Sequence, residues 1–316
     1  MDFAGSKFGR TCKLILETAP DASGKAQSAT LPDGLTIEFS INRQSLASAQ
    51  TGQFKIYGLG PVSRDAIYKD RFDLSQYRAI QFFAGYQSFM PRVFNGQILQ
   101  AYSEKVKEEE VTILDCFDGG YPLTNGWSNG VVAGQKSGQP AEDVLKLLAA
   151  PLPKTFGKPV IGTFPVTNMR GEVLFGNTWD LIRQKSDGHC TVSDGTVYCL
   201  RTNEGLVNNQ VKDVNSVDPK DDSIPLISGK TGLIGAPRRT GVFVEWEMLF
   251  EPRLQLFQVV AIQSDFNPKF NGIYKVVGFR HRGIVSKSVA GDYATTAQFL
   301  FAKGTSFEQA VQTLAG

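Results

Sequence analysis

Through its first third the chain alternates apolar and polar residues with a period of two. Leu35, Ile37, Phe39 and Ile41 interleave with Thr36, Glu38, Ser40 and Asn42, and Cys12, Leu14 and Leu16 repeat the pattern. Each run sets one face of a β-strand against a core and turns the other outward. Further strands are predicted over 54–59, 79–84, 93–102 and 111–116, spaced by turn residues as in an antiparallel barrel or sandwich. Between them, residues 61–67 read as a short helix with Pro61 at its start, where a missing amide loses no partner.

After Asp118-Gly119-Gly120 the pattern changes. A Gly- and Asn-rich segment runs to Gly138. A helix from Pro140 then presents Ala141, Val144, Leu145 and Leu148 on one face. A second short helix is predicted from Thr178, read as its N-cap, through Trp179, Ile182 and Lys185. Asp194-Gly195 between two β-branched runs signals a tight hairpin. The stretch 207–237, rich in Asp, Asn, Lys, Pro and Gly, reads as a long loop or linker. Alternation resumes with Val242, Val244, Trp246 and Met248 against Phe243, Glu245, Glu247 and Leu249, and continues through 258–263, 272–280 and 295–302.

The expected fold is therefore mainly β with an α/β insertion: two similar antiparallel β-barrel domains flanking a small α/β domain. The first barrel covers 1–120, the insertion and linker 121–236, the second barrel 237–305, and a short helix 306–316. Similarity of the barrels rests on an echo. Thr51-Gly52-Gln53-Phe54 is followed by Phe94-Asn95-Gly96, and Thr240-Gly241-Val242-Phe243 by Phe270-Asn271-Gly272. The repeated order suggests a duplicated domain; the alternative is common β vocabulary recurring by chance. Under duplication, Gly96 and Gly272 sit at equivalent turns, where glycine permits backbone conformations that a Cβ disfavours.

The 316 residues, 41% of them hydrophobic and 20% charged, suffice for two domains with real cores. A formal charge of +2 is too small to predict a nucleic-acid or membrane surface, and the basic spots Pro237-Arg238-Arg239 and Arg280-His281-Arg282 read as solvated loop ends. No apolar run has signal-peptide character or approaches the roughly 20 residues needed to cross a bilayer, so a soluble protein made in the cytosol is expected. Four cysteines in a chain of this length need not form a disulfide framework.

Chemistry is sparse. The two histidines, His189 and His281, form no metal-binding pair, and no nucleophile elbow, Walker loop or dinucleotide fingerprint occurs. The acidic run 213–222 fails as a calcium loop, because Val217 takes a ligand position and Asp218 stands where glycine must turn the chain. The charges from Lys105 to Glu110 read as a hairpin tip. Glu245 and Glu247, about 7 Å apart on one strand face, read as surface or interface residues. No catalytic residue, metal or cofactor is expected. Cys190 and Cys199 stand opposite each other if the Asp194-Gly195 turn holds two residues, because paired numbers then sum to 389. At a non-hydrogen-bonded site their Cα atoms approach to about 4.5 Å. That admits a disulfide or two small buried side chains.

Gly52-Gln53-Phe54-Lys55-Ile56-Tyr57-Gly58-Leu59 with Ser63-Arg64-Asp65-Ala66-Ile67 resembles phage baseplate hub proteins, in which an Ile-Tyr-Asn-Leu strand precedes a short Arg-containing helix. Phe83-Ala84-Gly85-Tyr86, Val93 to Ile98 and Val111 to Cys116 follow in the order of a first hub barrel. Leu249-Phe250-Glu251-Pro252, Phe270 to Val277 and His281-Arg282-Gly283 resemble the second. Gly58 replaces the usual Asn, Phe257 a common Gly, and the likeness does not extend to the insertion. The resemblance implies a virion protein of the tail baseplate that closes as a homotrimer, adapts a sixfold tail tube or distal tail ring to a threefold central spike, and meets baseplate wedge proteins. DNA would pass through it without specific binding. The rival readings are a tail-associated cell-wall hydrolase and a carbohydrate-binding receptor module, for which Trp127, Trp179 and Trp246 are the stacking candidates.

Overall fold

The alternating runs become strands of one branched antiparallel sheet. The computed structural model describes residues 7–20, 24, 27–47, 49–73, 77–87, 89–106, 108–119, 125–132, 141–150, 159–164, 171–218, 221, 223–240 and 243–303. The first unit comprises β1 (Arg10–Glu17), β2 (Ser28–Thr30), β3 (Thr36–Gln44), β4 (Thr51–Tyr57), α1 (Pro61–Ile67), β5 (Arg78–Tyr86), β6 (Arg92–Val106) and β7 (Glu109–Phe117). Its strands lie in the order β3-β4-β7-β6-β5-β1-β2. Their inward positions, among them Leu14, Phe39, Phe54, Phe82 and Leu114, form the first core. Phe82 lies 4.9 Å, centroid to centroid, from both Phe39 and Phe54.

The insertion follows with β8 (Trp127–Val132), α2 (Ala141–Ala149), β9 (Val160–Ile161), β10 (Glu172–Asn177), α3 (Thr178–Lys185), β11 (Cys190–Ser193) and β12 (Thr196–Cys199). Ala141, Val144, Leu145 and Leu148 of α2 are buried in its own core with Trp179 and Ile182 of α3. Asn177, not Thr178, caps α3: its side chain accepts from the backbone amides of Trp179 and Asp180. The β11–β12 hairpin has the expected two-residue turn, with Asp194 at φ 53° and Gly195 at φ 70°, and Cys190 pairs with Cys199.

The segment read as a linker is structured. It carries β13 (Glu204–Val207), β14 (Gln210–Asp213), β15 (Leu226–Ser228) and the start of β16 (Leu233–Thr240). Of its apolar residues, Val207, Val214, Val217 and Ile224 share a small core with Val259 and Ile273, and Ile227 joins the larger core of the second unit. Strands of three or four residues are too short for alternation to register, and β15 pairs with a strand that begins only at Val259. Pro237 falls in β16, an edge strand with a register shift between Ile234 and Arg238, where a residue lacking an amide is tolerated. The two basic spots are likewise strand residues, Arg238 and Arg239 in β16 and Arg280 to Arg282 within the strand Gly272–Val285, not loop ends.

The second unit adds β17 (Phe243–Leu249), β18 (Val259–Gln263), β19 (Gly272–Val285) and β20 (Tyr293–Lys303). In chain order β3, β4, β5, β6 and β7 pair as β3·β4, β4·β7, β7·β6 and β6·β5. In the same order β16 to β20 pair as β16·β17, β17·β20, β20·β19 and β19·β18. The connectivity is identical. Trp246, Tyr274 and Phe299 centre the second core. Phe250 and Tyr293 of this unit cross into the first core, stacked at 4.4 Å, so the two units share packed aromatics. The expected C-terminal helix over 306–316 lies outside the described residues.

Candidate functional surface

One strand joins the two units. The N-terminal half of β19 pairs with β18, up to Lys275. After a bulge between Val276 and Gly278 it pairs instead with β3, from Gly278 opposite Gln44 to Val285 opposite Ile37. The outward positions of β6, β7, β4, β3, β19, β20, β17 and β16 thereby form one surface across eight consecutive strands. Period-two alternation makes the middle of this surface mostly polar, while Val111, Ile113, Ile234 and Leu249 share its face.

Its charges alternate in sign. Lys55 Nζ lies 3.2 Å from Glu38, Arg282 2.6 Å from Glu247, and Arg238 2.7 Å from Glu245. Gln53 donates to Asp115 at 2.9 Å and Tyr57 to Glu38 at 3.1 Å. At the seam, a depression of about 590 Å³ is bordered by Ser40, Asn42, Arg280 and Gln298. Solvent-exposed pairs of this kind contribute little stability each, roughly 0–1 kcal/mol. Their collective effect is a wall without a dominant sign. The sequence signal for it was the polar half of the alternation, and only the seam shows that two distant alternations share one surface. Glu245 and Glu247 lie on it, as surface residues.

Gly96 and Gly272 fall on the corresponding strands β6 and β19, Gly96 inside its strand and Gly272 at the first position of β19, just after the Pro268–Phe270 turn, and neither has a left-handed backbone. Gly96 is constrained by close approach: a Cβ there would sit 2.5 Å from the Phe117 carbonyl oxygen. Aligned on the bulge that follows Ile98 in β6 and Val276 in β19, Gly96 corresponds to Tyr274, two places from Gly272. The Thr-Gly-x-Phe echo is also out of step. Phe54 is a core residue matching Trp246, whereas Phe243 starts β17 on the opposite face. Connectivity, not the echoed words, carries the likeness of the units.

The histidines, cysteines and tryptophans are mostly buried structure. His281 is buried, with Nδ1 2.8 Å from the Thr295 hydroxyl; burial and then the Arg43 charge push it down to about 3, so it is neutral at ordinary pH. His189 lies in the turn after α3, far along the chain and on a different element. Cys190 and Cys199 are free and buried, and burial raises both thiols. Trp246 and Trp179 are core residues, while Trp127 is exposed and packs edge-on against Phe175 at 5.3 Å. Among the described residues no cluster of three His, Cys, Asp or Glu side chains could hold a metal, and no helix is long and apolar enough to cross a membrane.

Residues 195–289, from the hairpin turn through the former linker and most of the second unit, match the family model of the baseplate hub gp41. This chain resembles phage tail baseplate hubs. Likeness in fold to solved structures extends along nearly its whole length. The tail protein of Neisseria meningitidis MC58 covers 93% of this chain and 97% of its own at 14% identity, with a TM-score of 0.51. The 43 kDa tail protein of prophage MuSo2 from Shewanella oneidensis covers 92% and 99% at 9% identity, with a TM-score of 0.53. A chain of the lidded Francisella PdpA–VgrG complex is similar over 94% of this chain and 53% of its own at 8% identity, with a TM-score of 0.52. No curated protein matches the chain.

Proposed function

We propose that the chain is the structural hub of a phage tail baseplate, that three copies close into a ring, and that the polar eight-strand surface lines its channel. The observation that carries this reading is the repeated connectivity joined by the β19·β3 seam. A chain with two like units gives a threefold ring six similar wall segments, which suits a sixfold tube or distal tail ring on one side and a threefold spike on the other. The division at 1–120, 121–236 and 237–305 belongs to this reading, with the insertion on the outside of the ring, free to meet wedge proteins. The sign-balanced surface supports passage of DNA without retention, because each unopposed cation that neutralises a phosphate adds salt-sensitive affinity.

The role is mechanical, not enzymatic. A cell-wall hydrolase needs a tuned acid or base in an accessible cleft. Among the described residues the carboxyl shifted upward is Asp118, and it is buried beneath the β11–β12 hairpin. A sugar-stacking site would have to use Trp127 alone of its three candidates. Native mass measurement of the ring released from assembled particles tests the proposal. Three copies are expected; any other number in the assembled particle would overturn it.

A further inference from the structure

The seam within one chain specifies how two chains would meet. Beyond its bulge β19 exchanges β18 for β3. The corresponding strand β6 loses β5 at Ile98, and its distal half then has only an isolated bridge from Lys69 to Ala101 on that side. The counterpart of β3 is β16, which pairs with β17 alone. Two of the repeated positions are thus filled by each other inside the chain, and their two equivalents are open edges among the described residues. Open edges of this length template further pairing.

Resting on the trimeric reading, we infer that the distal half of β6 pairs antiparallel with β16 of the next copy, in the register of the β19·β3 seam. The register follows from the ladders. Gln100 is opposite Asp115, Asp115 opposite Gln53, and Gln53 opposite Ser40. Gly278 is opposite Gln298, Gln298 opposite Glu245, and Glu245 opposite Arg238. Ser40 therefore corresponds to Arg238, and Arg282, which faces Ser40, corresponds to Glu104. Glu104 then faces Arg238 of the neighbouring copy. Two residues on, Ile284 faces Glu38 within the chain, and their counterparts place Val106 opposite Ile234.

Both juxtapositions suit an interface. The first is an acid against a base, with the Arg238 side chain 73% exposed. The second joins two apolar side chains left 47% and 43% exposed. Nothing in the ladder arithmetic requires either match, so their agreement with the seam register is independent support. Cross-strand pairs of these types are favourable, whereas like charges directly opposite are not.

The test introduces Glu104→Cys together with Arg238→Cys in the full chain and oxidises assembled particles. Covalent trimers are expected on denaturing gels, with neither single variant nor wild type giving them. Three copies by mass without that crosslink would overturn the seam and leave the ring intact; absence of three copies would remove both. Charge reversal gives a second readout. Glu104→Arg should lower the yield of rings severalfold, and adding Arg238→Glu should restore it. A double variant no better than Glu104→Arg alone would also overturn the pairing.

Discussion

Arg280 donates from Nε to the Ser40 hydroxyl at 3.0 Å, joining residues 240 positions apart in the chain across the line where the two β units meet. The bond is one rung of a surface that is continuous only because β19 serves both units. The consequences extend from the core to the polar face of the sheet.

Phe250 should couple the units energetically. It belongs to the second unit yet lies in the first core, 5.7 Å from Phe39 and 4.4 Å from Tyr293 by ring centroids. Phe250→Ala is expected to cost about 3–5 kcal/mol, measured by denaturant unfolding. Loss confined to one of two separate transitions would contradict the shared core.

The insertion's attachment to the first unit should weaken as pH rises. Arg43 of β3 donates to both carboxylate oxygens of Asp194 at 2.6 Å, and Asp118 accepts from the Gly195 amide at 3.0 Å. Burial, and then the Asp194 charge, push the Asp118 carboxyl up from 3.8 to about 7. Tyr198 and the neutral His281 face the same cluster. Because the docked state holds this proton more tightly than an exposed one would, docking is favoured below the ordinary carboxylate range. That stability is lost progressively as pH rises to about 7. Hydrogen exchange of the β11–β12 hairpin, corrected for intrinsic rates, should show roughly tenfold less protection at pH 8.5 than at pH 6. Asp118→Asn should abolish the difference.

Double substitution of Cys190 and Cys199 by Ala should cost a few kcal/mol or less, roughly the loss of two small buried side chains. Thermal unfolding of the variant measures this. A quantitative Cys190–Cys199 disulfide found by mass spectrometry of particles would instead make the pair a staple formed after release from the cell.

The surface proposed to line the channel should tolerate no large excess of positive charge. Replacing Glu38, Glu245 and Glu247 by Lys removes the carboxylates paired with Lys55 and Arg238 and leaves Arg282 with Asp292 alone. Rings of this variant are expected to bind DNA with a steep salt dependence, whereas the native ring shows little affinity. Equal DNA binding by both would argue against a channel-lining role for the surface.

The sequence by itself determined the longer strands β1, β3 to β7 and β17 to β20, their inward and outward faces, α1 over 61–67, the helix presenting Val144 and Leu148, and the Cys190 to Cys199 register. Each follows from local periodicity or turn chemistry, which act over a few residues. Only the tertiary structure decided where those strands pair. It showed that 207–237 is built of short strands whose core is completed by Val259 and Ile273, and that Arg280 lies on the outward face of a strand and not at a loop end. It also showed that the two units match by connectivity, with both sequence echoes out of register. Pairing between strands hundreds of residues apart is set by the sum of many long-range contacts, and no window of sequence contains that sum.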